Sequence, residues 1–290
     1  MAGENGHRIA LITDSTCDIP QPLLEQYDIH LVPQYLIWGT EEFRDRIDVS
    51  ADEFYRRLSH STEFPRSSQP VIGDFFATLQ AAQAAGAEEA VIVTISSGLS
   101  GTIKSAQQAA VMADMPVHIH DSRTSGMALG WQVLAAARAR EAGGDAGAML
   151  DVAARARDTM QIIFTVDSLE HLHRNGRIGR ASHLIGSALN IKPVLWVDHS
   201  AGVVEAADRV RTHKRALERV YQLYFEHMDT SRPMHVAVIH SIAPDLAAAF
   251  EGRVRAEYDP VELLVTPISP VVGAHVGPNG VGLAGYYERE

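Results

Sequence analysis

The feature that most constrains this chain is the alternation, through its first half, of short β-branched runs with helical stretches. Residues 9–13, 29–36, 89–95 and 117–120 read as strands. Between them lie helical patterns. Pro20 and Pro22 open a short one through Leu23, Leu24 and Tyr27, because proline is tolerated in a first helical turn. Residues 51–58 place Phe54 and Leu58 on one face, and residues 75–85 and 102–113 continue the series. Two further helices, 127–142 and 145–159, close the half. Parallel strands need long crossovers, usually helical, so this pattern predicts a parallel sheet covered on both faces.

The second half is less regular. Residues 162–166 read as a strand, followed by a short helix near Leu169 to Leu172 and a basic loop from Arg174 to Arg180. Residues 193–197 and 203–206 form a predicted hairpin around Asp198-His199-Ser200-Ala201-Gly202. A helix is expected over 212–227, a strand over 236–239, a helix over 245–258 and a strand over 261–266. The tail, 271–287, holds five glycines and two strand-like runs. The expected architecture is therefore α/β in two domains. Residues 1–160 form a three-layer α/β/α parallel-sheet domain and residues 161–290 an α+β mixed-sheet domain, with a cleft between them. No internal repeat is present.

Charge and cysteine content narrow the function classes. A formal net charge of -11 over 290 residues lacks the positive field that neutralises phosphates, so nucleic acid and anionic membrane surfaces are disfavoured. The single cysteine, Cys17, can form neither an internal disulfide nor a thiolate zinc site. The histidine pairs His118/His120 and His171/His173 have no third ligand at motif spacing, so no metal is expected. No run approaches the ~20 apolar residues that span a bilayer, and residues 1–8 lack the apolar core of a signal peptide. A cytoplasmic location is expected.

Four segments carry candidate chemistry. Ile95-Ser96-Ser97-Gly98-Leu99-Ser100-Gly101-Thr102 joins a strand to a helix. Glycine there permits close approach, and a helix start offers unpaired N–H groups and a positive dipole end, so an anion such as a carboxylate suits it. Ser100 can equally serve as a plain N-cap. Ser67-Ser68-Gln69-Pro70 reads as a loop and cap with spare hydroxyls. Val272-Gly273-Ala274-His275-Val276-Gly277 sets a histidine among small residues, where it is either structural or a donor to a carboxylate. Arg174-Asn175-Gly176-Arg177-Ile178-Gly179-Arg180 is a solvated turn or an anion clamp. Nucleotide motifs are missing where they would count: there is no P-loop, and no G-x-G-x-x-G opens the first helix. Gly98-Leu99-Ser100-Gly101-Thr102 also fails as a nucleophile elbow at its last position.

Taken in order, the segments resemble the DegV family over nearly the whole chain. The resemblance rests on Ile12-Thr13-Asp14-Ser15-Thr16-Cys17-Asp18-Ile19-Pro20, Ser68-Gln69-Pro70, Leu99-Ser100-Gly101-Thr102 and Asp121-Ser122. It continues through Asp167-Ser168-Leu169, Gly176-Arg177-Ile178, Ile191-Lys192-Pro193 and Gly273 to Gly277. It implies a two-domain α/β fold that buries a long-chain fatty acid such as palmitate, stearate or oleate, with no cofactor and no catalytic residue. By the same resemblance, Ser67, Ser100 and His275 hold the lipid carboxylate, and Arg177 lies near the headgroup or a docking surface. The family usually has threonine where this chain has Ser67, which keeps the hydroxyl and loses a methyl. The family is also similar in fold to one domain of dihydroxyacetone kinases. Some members serve as the B subunit of a bacterial fatty acid kinase in phospholipid metabolism, presenting the acid to a separate ATP-binding catalytic subunit. Candidate liners for the acyl tunnel are Phe75, Phe76, Leu79, Phe164, Leu184 and Ile185. The alternative reading is a serine hydrolase or acyltransferase that uses Ser100 with His275.

Overall fold

The structure is a computed structural model that describes residues 8–186 and 191–289. Residues 1–7 of the polar N-terminal stretch lie outside the described residues.

The first half runs β1 (Ile9–Asp14), α1 (Gln21–Gln26), β2 (Ile29–Val32), β3 (Tyr35–Trp38), β4 (Glu41–Arg44), α2 (Ala51–Leu58), β5 (Arg66–Ser68) and α3 (Ile72–Ala84). It continues with β6 (Glu89–Thr94), α4 (Thr102–Met112), β7 (Val117–Asp121), α5 (Met127–Glu141) and α6 (Ala146–Thr159). Strands β2-β1-β6-β7 form a four-stranded, wholly parallel sheet. Helices α3 and α4 pack on one face and α5 and α6 on the other, as the alternation predicts.

One expected strand, 29–36, is two. The pairing of β2 with β1 ends at Val32, and β3 joins β4 and β5 in a separate antiparallel sheet. Pro33 stands at the break, where a missing N–H interrupts the ladder. This small sheet was not foreseen, because its strands are three or four residues long.

The second half holds β8 (Gln161–Thr165), α7 (Glu170–Arg174), β9 (Lys192–Asp198), β10 (Val203–Val210), α8 (His213–Glu226) and β11 (Met234–His240). It ends with α9 (Pro244–Glu257), β12 (Glu262–Pro267), α10 (Pro270–Val276) and β13 (Val281–Tyr287). The sheet order is β10-β9-β8-β13-β11-β12, antiparallel except for the β11–β12 pair. Helices α8 and α9 cover the face away from the first sheet. The tail departs from expectation, since only the second of its two runs is a strand. The β-branched valines 271, 272 and 276 belong to α10, which Pro270 opens in its first turn and Gly277 closes at φ +78°.

The layers therefore stack as helices, parallel sheet, helices, mixed sheet, helices. The middle layer explains an oddity of composition. Helix α5 has no polar face over its first two turns, and its residues from Met127 to Leu134, Gln132 included, are all buried, because it touches a sheet on each side. Trp131 ties it to the second sheet by donating from Nε1 to the Ala284 carbonyl at 3.1 Å. The largest apolar cluster accordingly runs from Leu11 and Val91 through α5 to Leu195 and Ala284. No helix among the described residues is long and apolar enough to cross a membrane.

Candidate ligand-binding site

A narrow cavity opens where the C-terminal ends of β1 and β6 face the second sheet. Ligand sites of open parallel sheets are expected at that edge. It leaves about 80 Å³ for the centre of a water-sized sphere to move in. Its walls are apolar and come from both halves: Ile95 and Leu99 from one, Phe164, Leu172, Val204 and Ile239 from the other. Ser67, Ser100, Arg177 and His275 all line it, so the four sequence-predicted residues share one cavity. Of the six expected tunnel liners only Phe164 does. Phe75 and Leu79 are buried, with Phe76 beside them, on the far face of the parallel sheet. Leu184 is buried elsewhere, and Ile185 is 44% exposed. Periodicity shows which side of a helix is buried, but not which face of the sheet receives it.

Ser67 is not in a capping loop. It lies in β5, paired with Leu36 of β3, and the helix that follows is held instead by Asp74, whose carboxylate accepts from Val71 N at 2.9 Å. The extended backbone aims the hydroxyl at α10, and Ser67 Oγ lies 2.7 Å from His275 Nε2. Helix α10 is fixed in turn by apolar packing of Val271 and Ala274 against Leu36, Phe54 and Tyr55. The ring nitrogen on the other side, His275 Nδ1, is buried without a hydrogen-bond partner among the described residues. Desolvation, with help from Arg177 and His171, pushes the His275 pKa down to about 3. The ring is therefore neutral at pH 7, with one N–H to give.

The hydroxyl-rich loop divides its work. Ser96 donates to the Gly202 carbonyl at 2.7 Å. A Cβ on Gly98 would lie 2.7 Å from the Ala201 oxygen and 2.8 Å from that of Gly202. These two residues dock the β9–β10 hairpin. Ser100 faces the cavity, with its Oγ 2.8 Å from Thr102 Oγ1. The N-cap position of α4 belongs to Gly101, which has no capping side chain.

The three loop arginines also separate. Arg174 pairs with Glu170 at 2.8 Å and covers Phe64, and Arg180 pairs with Asp198 at 2.9 Å. Arg177 turns inward, donating to the carbonyls of Leu99 at 3.2 Å and Asn175 at 2.8 Å. It has no carboxylate partner among the described residues.

A family model described as "Uncharacterised protein, DegV family" matches residues 8–288. The chain belongs to the DegV family. Protein DegV of Bacillus subtilis is 34% identical over 278 residues, covering 95% of this chain and 98% of the relative. Among solved structures, a DegV family protein from Thermus thermophilus, described for its fatty acid binding, superposes with a TM-score of 0.90 at 32% identity. That match covers 97% of this chain and 100% of the other. Bacillus subtilis DegV, described as a fatty acid binding protein, superposes with a TM-score of 0.89 at 32% identity over 97% of this chain and 100% of its own.

In this DegV chain the serine–histidine contact has the distance of a nucleophile–base pair without its chemistry. A base with a pKa near 3 takes no proton from a serine at neutral pH. No carboxylate orients His275 Nδ1 among the described residues, and Ser100 pairs with Thr102 rather than with the histidine.

Two features escaped sequence reading. Gln69, read only as part of a loop, lines the cavity and reaches Ser105. Three carboxyls, Asp14, Asp18 and Asp45, are buried at the site; Asp18 lines the cavity itself, and the other two do not. Asp45 accepts from Ser15 Oγ at 2.6 Å and from Val271 N at 3.2 Å, and Asp18 accepts from Ser269 N at 3.0 Å, so both hold the start of α10. Burial raises the Asp18 pKa to about 6 and that of Asp45 to about 7. Asp14 and Asp18 stood in the opening motif; nothing in the sequence marked Asp45.

Proposed function

We propose that this chain binds a long-chain fatty acid of the palmitate, stearate or oleate class, with the acyl chain between the 1–160 and 161–290 units. The observation that carries the reading is that Ser67, Ser100, His275 and Arg177 converge on one apolar cavity. Relatives described as fatty acid binding, at 32% identity over almost the full chain, support the ligand class.

The physical logic is that of a molecule with one charge and a long tail. Burying the tail is favourable by ~0.8 kcal/mol per methylene. Burying the carboxylate is costly unless its oxygens find donors. Neutral His275 gives its Nε2–H to Ser67 Oγ, which frees the Ser67 hydrogen for one carboxylate oxygen, and Ser100 serves the other. Arg177 supplies positive charge beside them while its own N–H groups stay on carbonyls. Such a donor set holds the carboxylate without a bidentate arginine clamp and leaves it reactive. In this reading the chain is a carrier, not a catalyst, and presents the acid to a separate kinase subunit that forms the acyl phosphate.

Native mass spectrometry of protein purified without added lipid tests the ligand. A bound acid of palmitate to oleate mass is expected. Apo protein that takes up neither palmitate nor oleate sinks the reading. Acyl-phosphate formation from ATP on mixing with a fatty acid kinase catalytic subunit tests the partnership separately.

A further inference from the structure

Two of the donors assigned to the carboxylate lie on elements remote in sequence, Ser67 on β5 and Ser100 at the foot of α4, and their spacing must be set by something that spans both. Gln69 stands two residues beyond Ser67 and is exposed at the cavity. Its amide lies along the first turn of α4. Nε2 donates to Ser105 Oγ at 3.0 Å. Oε1 lies only 2.0 Å from where a Cβ on Gly101 would stand. Gly101 and Ser105 are one turn apart on the same helix face. The backbone of Gly101, at φ -78° and ψ 8°, suits any residue, so what a side chain there would displace is the Gln69 amide and not the backbone. The side chain thus occupies the volume that the missing Cβ leaves.

We propose that Gln69 is a positioning residue that locks β5 to the first turn of α4 and so sets the distance between the Ser67 and Ser100 hydroxyls. The proposal rests on the carboxylate reading above. It assigns Gln69 no contact with the ligand; the residue acts through Ser100 and Gly101. It makes carboxylate recognition, rather than acyl burial, the property that depends on Gln69, because the apolar walls of the cavity come from other elements.

The test compares palmitate with hexadecanol on delipidated full-length protein, by displacement of a fluorescent acyl probe. The two ligands share a tail and differ in the head. Wild-type protein is expected to prefer palmitate. Gln69→Ala is expected to weaken palmitate about fivefold, the effect of one lost hydrogen bond, and to leave hexadecanol unchanged. Gly101→Ala, whose new methyl expels the amide, is expected to do the same, and the double variant to lose no more than either single one. Melting temperatures near that of wild type are expected for Gln69→Ala, since the residue is exposed. Losses that add in the double variant overturn the proposal, as does an equal loss of both ligands. If Gln69→Ala leaves the preference for palmitate as large as in wild-type protein, the proposal alone is wrong. If wild-type protein has no such preference, the carboxylate reading fails and takes the proposal with it.

Discussion

Ser67 Oγ and His275 Nε2 lie 2.7 Å apart although 208 residues separate them in the chain. The contact joins a short strand in the first half, β5, to the two-turn helix α10 near the C-terminus. Helix α10 is held to this sheet by Val271 and Ala274, which pack on Leu36 of β3, the strand partner of Ser67. In the reading proposed above, neutral His275 donates to Ser67 Oγ and the pair works as a relay of hydrogen-bond donors, the imidazole fixing which way the hydroxyl points.

Ser67→Ala and His275→Ala are each expected to weaken palmitate binding by about three- to tenfold, the range for one hydrogen bond to a buried acceptor. In a relay the two losses do not add, since removing either member disorients or deletes the same donor. Isothermal titration of the two single variants and the double one measures this. Additive losses would mean that each residue meets the carboxylate independently.

Much of this arrangement was legible in the sequence. The strand–helix alternation marked the parallel sheet, since helical crossovers and β-branched runs are local properties. The residues of the candidate site were legible as ordered motifs, each uninformative alone. What stayed hidden depended on packing between distant segments. The valines of α10 suggested a strand, and only Pro270 and Gly277 hinted at a helix with ends. The buried state of Asp45 comes from Ser15 and Val271, residues 30 and 226 positions away, which no local pattern reports. The role of Gly98 likewise comes from a hairpin about a hundred residues downstream.

Asp45 gives the protein a pH-dependent stability of definite sign. Burial raises its pKa from the ordinary 3.8 to about 7. In that window the unfolded chain has lost a proton that the folded one keeps, so stability falls as pH rises, by up to about 1.4 kcal/mol per unit for one proton. Asp45→Asn removes the titration. Its amide oxygen still accepts from Val271 N, and its NH₂ reaches Ser15 Oγ. The melting temperature of the lipid-free variant relative to wild type is expected to increase between pH 4.5 and pH 7.5. A difference that stays constant across that range refutes the assignment.

The glycines make opposite predictions by position. A methyl on Gly98 would press on the carbonyls of Ala201 and Gly202, which are backbone atoms and cannot swing aside. Gly98→Ala should destabilise the fold by about 1–3 kcal/mol, the usual cost of overpacking. Gly73, in the first turn of α3, has nothing within 4 Å of its missing Cβ. Gly73→Ala should stabilise the fold by about 0.5–1 kcal/mol, because alanine loses less backbone entropy in a helix. Urea unfolding of both variants decides the matter, and equal shifts would show that the hairpin is not docked on Gly98.

A serine-directed fluorophosphonate should leave Ser67 and Ser100 unlabelled in lipid-free protein at neutral pH. Nucleophilic serine needs a base that can accept its proton, and His275 is held far too acidic for that by burial, Arg177 and His171. It also needs the base oriented by a third group, whereas His275 Nδ1 has no partner among the described residues. Arg177→Gln relieves one of the three causes and should raise the histidine pKa without supplying an orienter, so labelling should stay absent there too. Intact-mass analysis after incubation reads the outcome directly. Stoichiometric labelling of Ser67 or Ser100 in wild-type protein would mean that the base is poised near neutrality, and the chain would then be an acyl-transfer enzyme rather than a carrier.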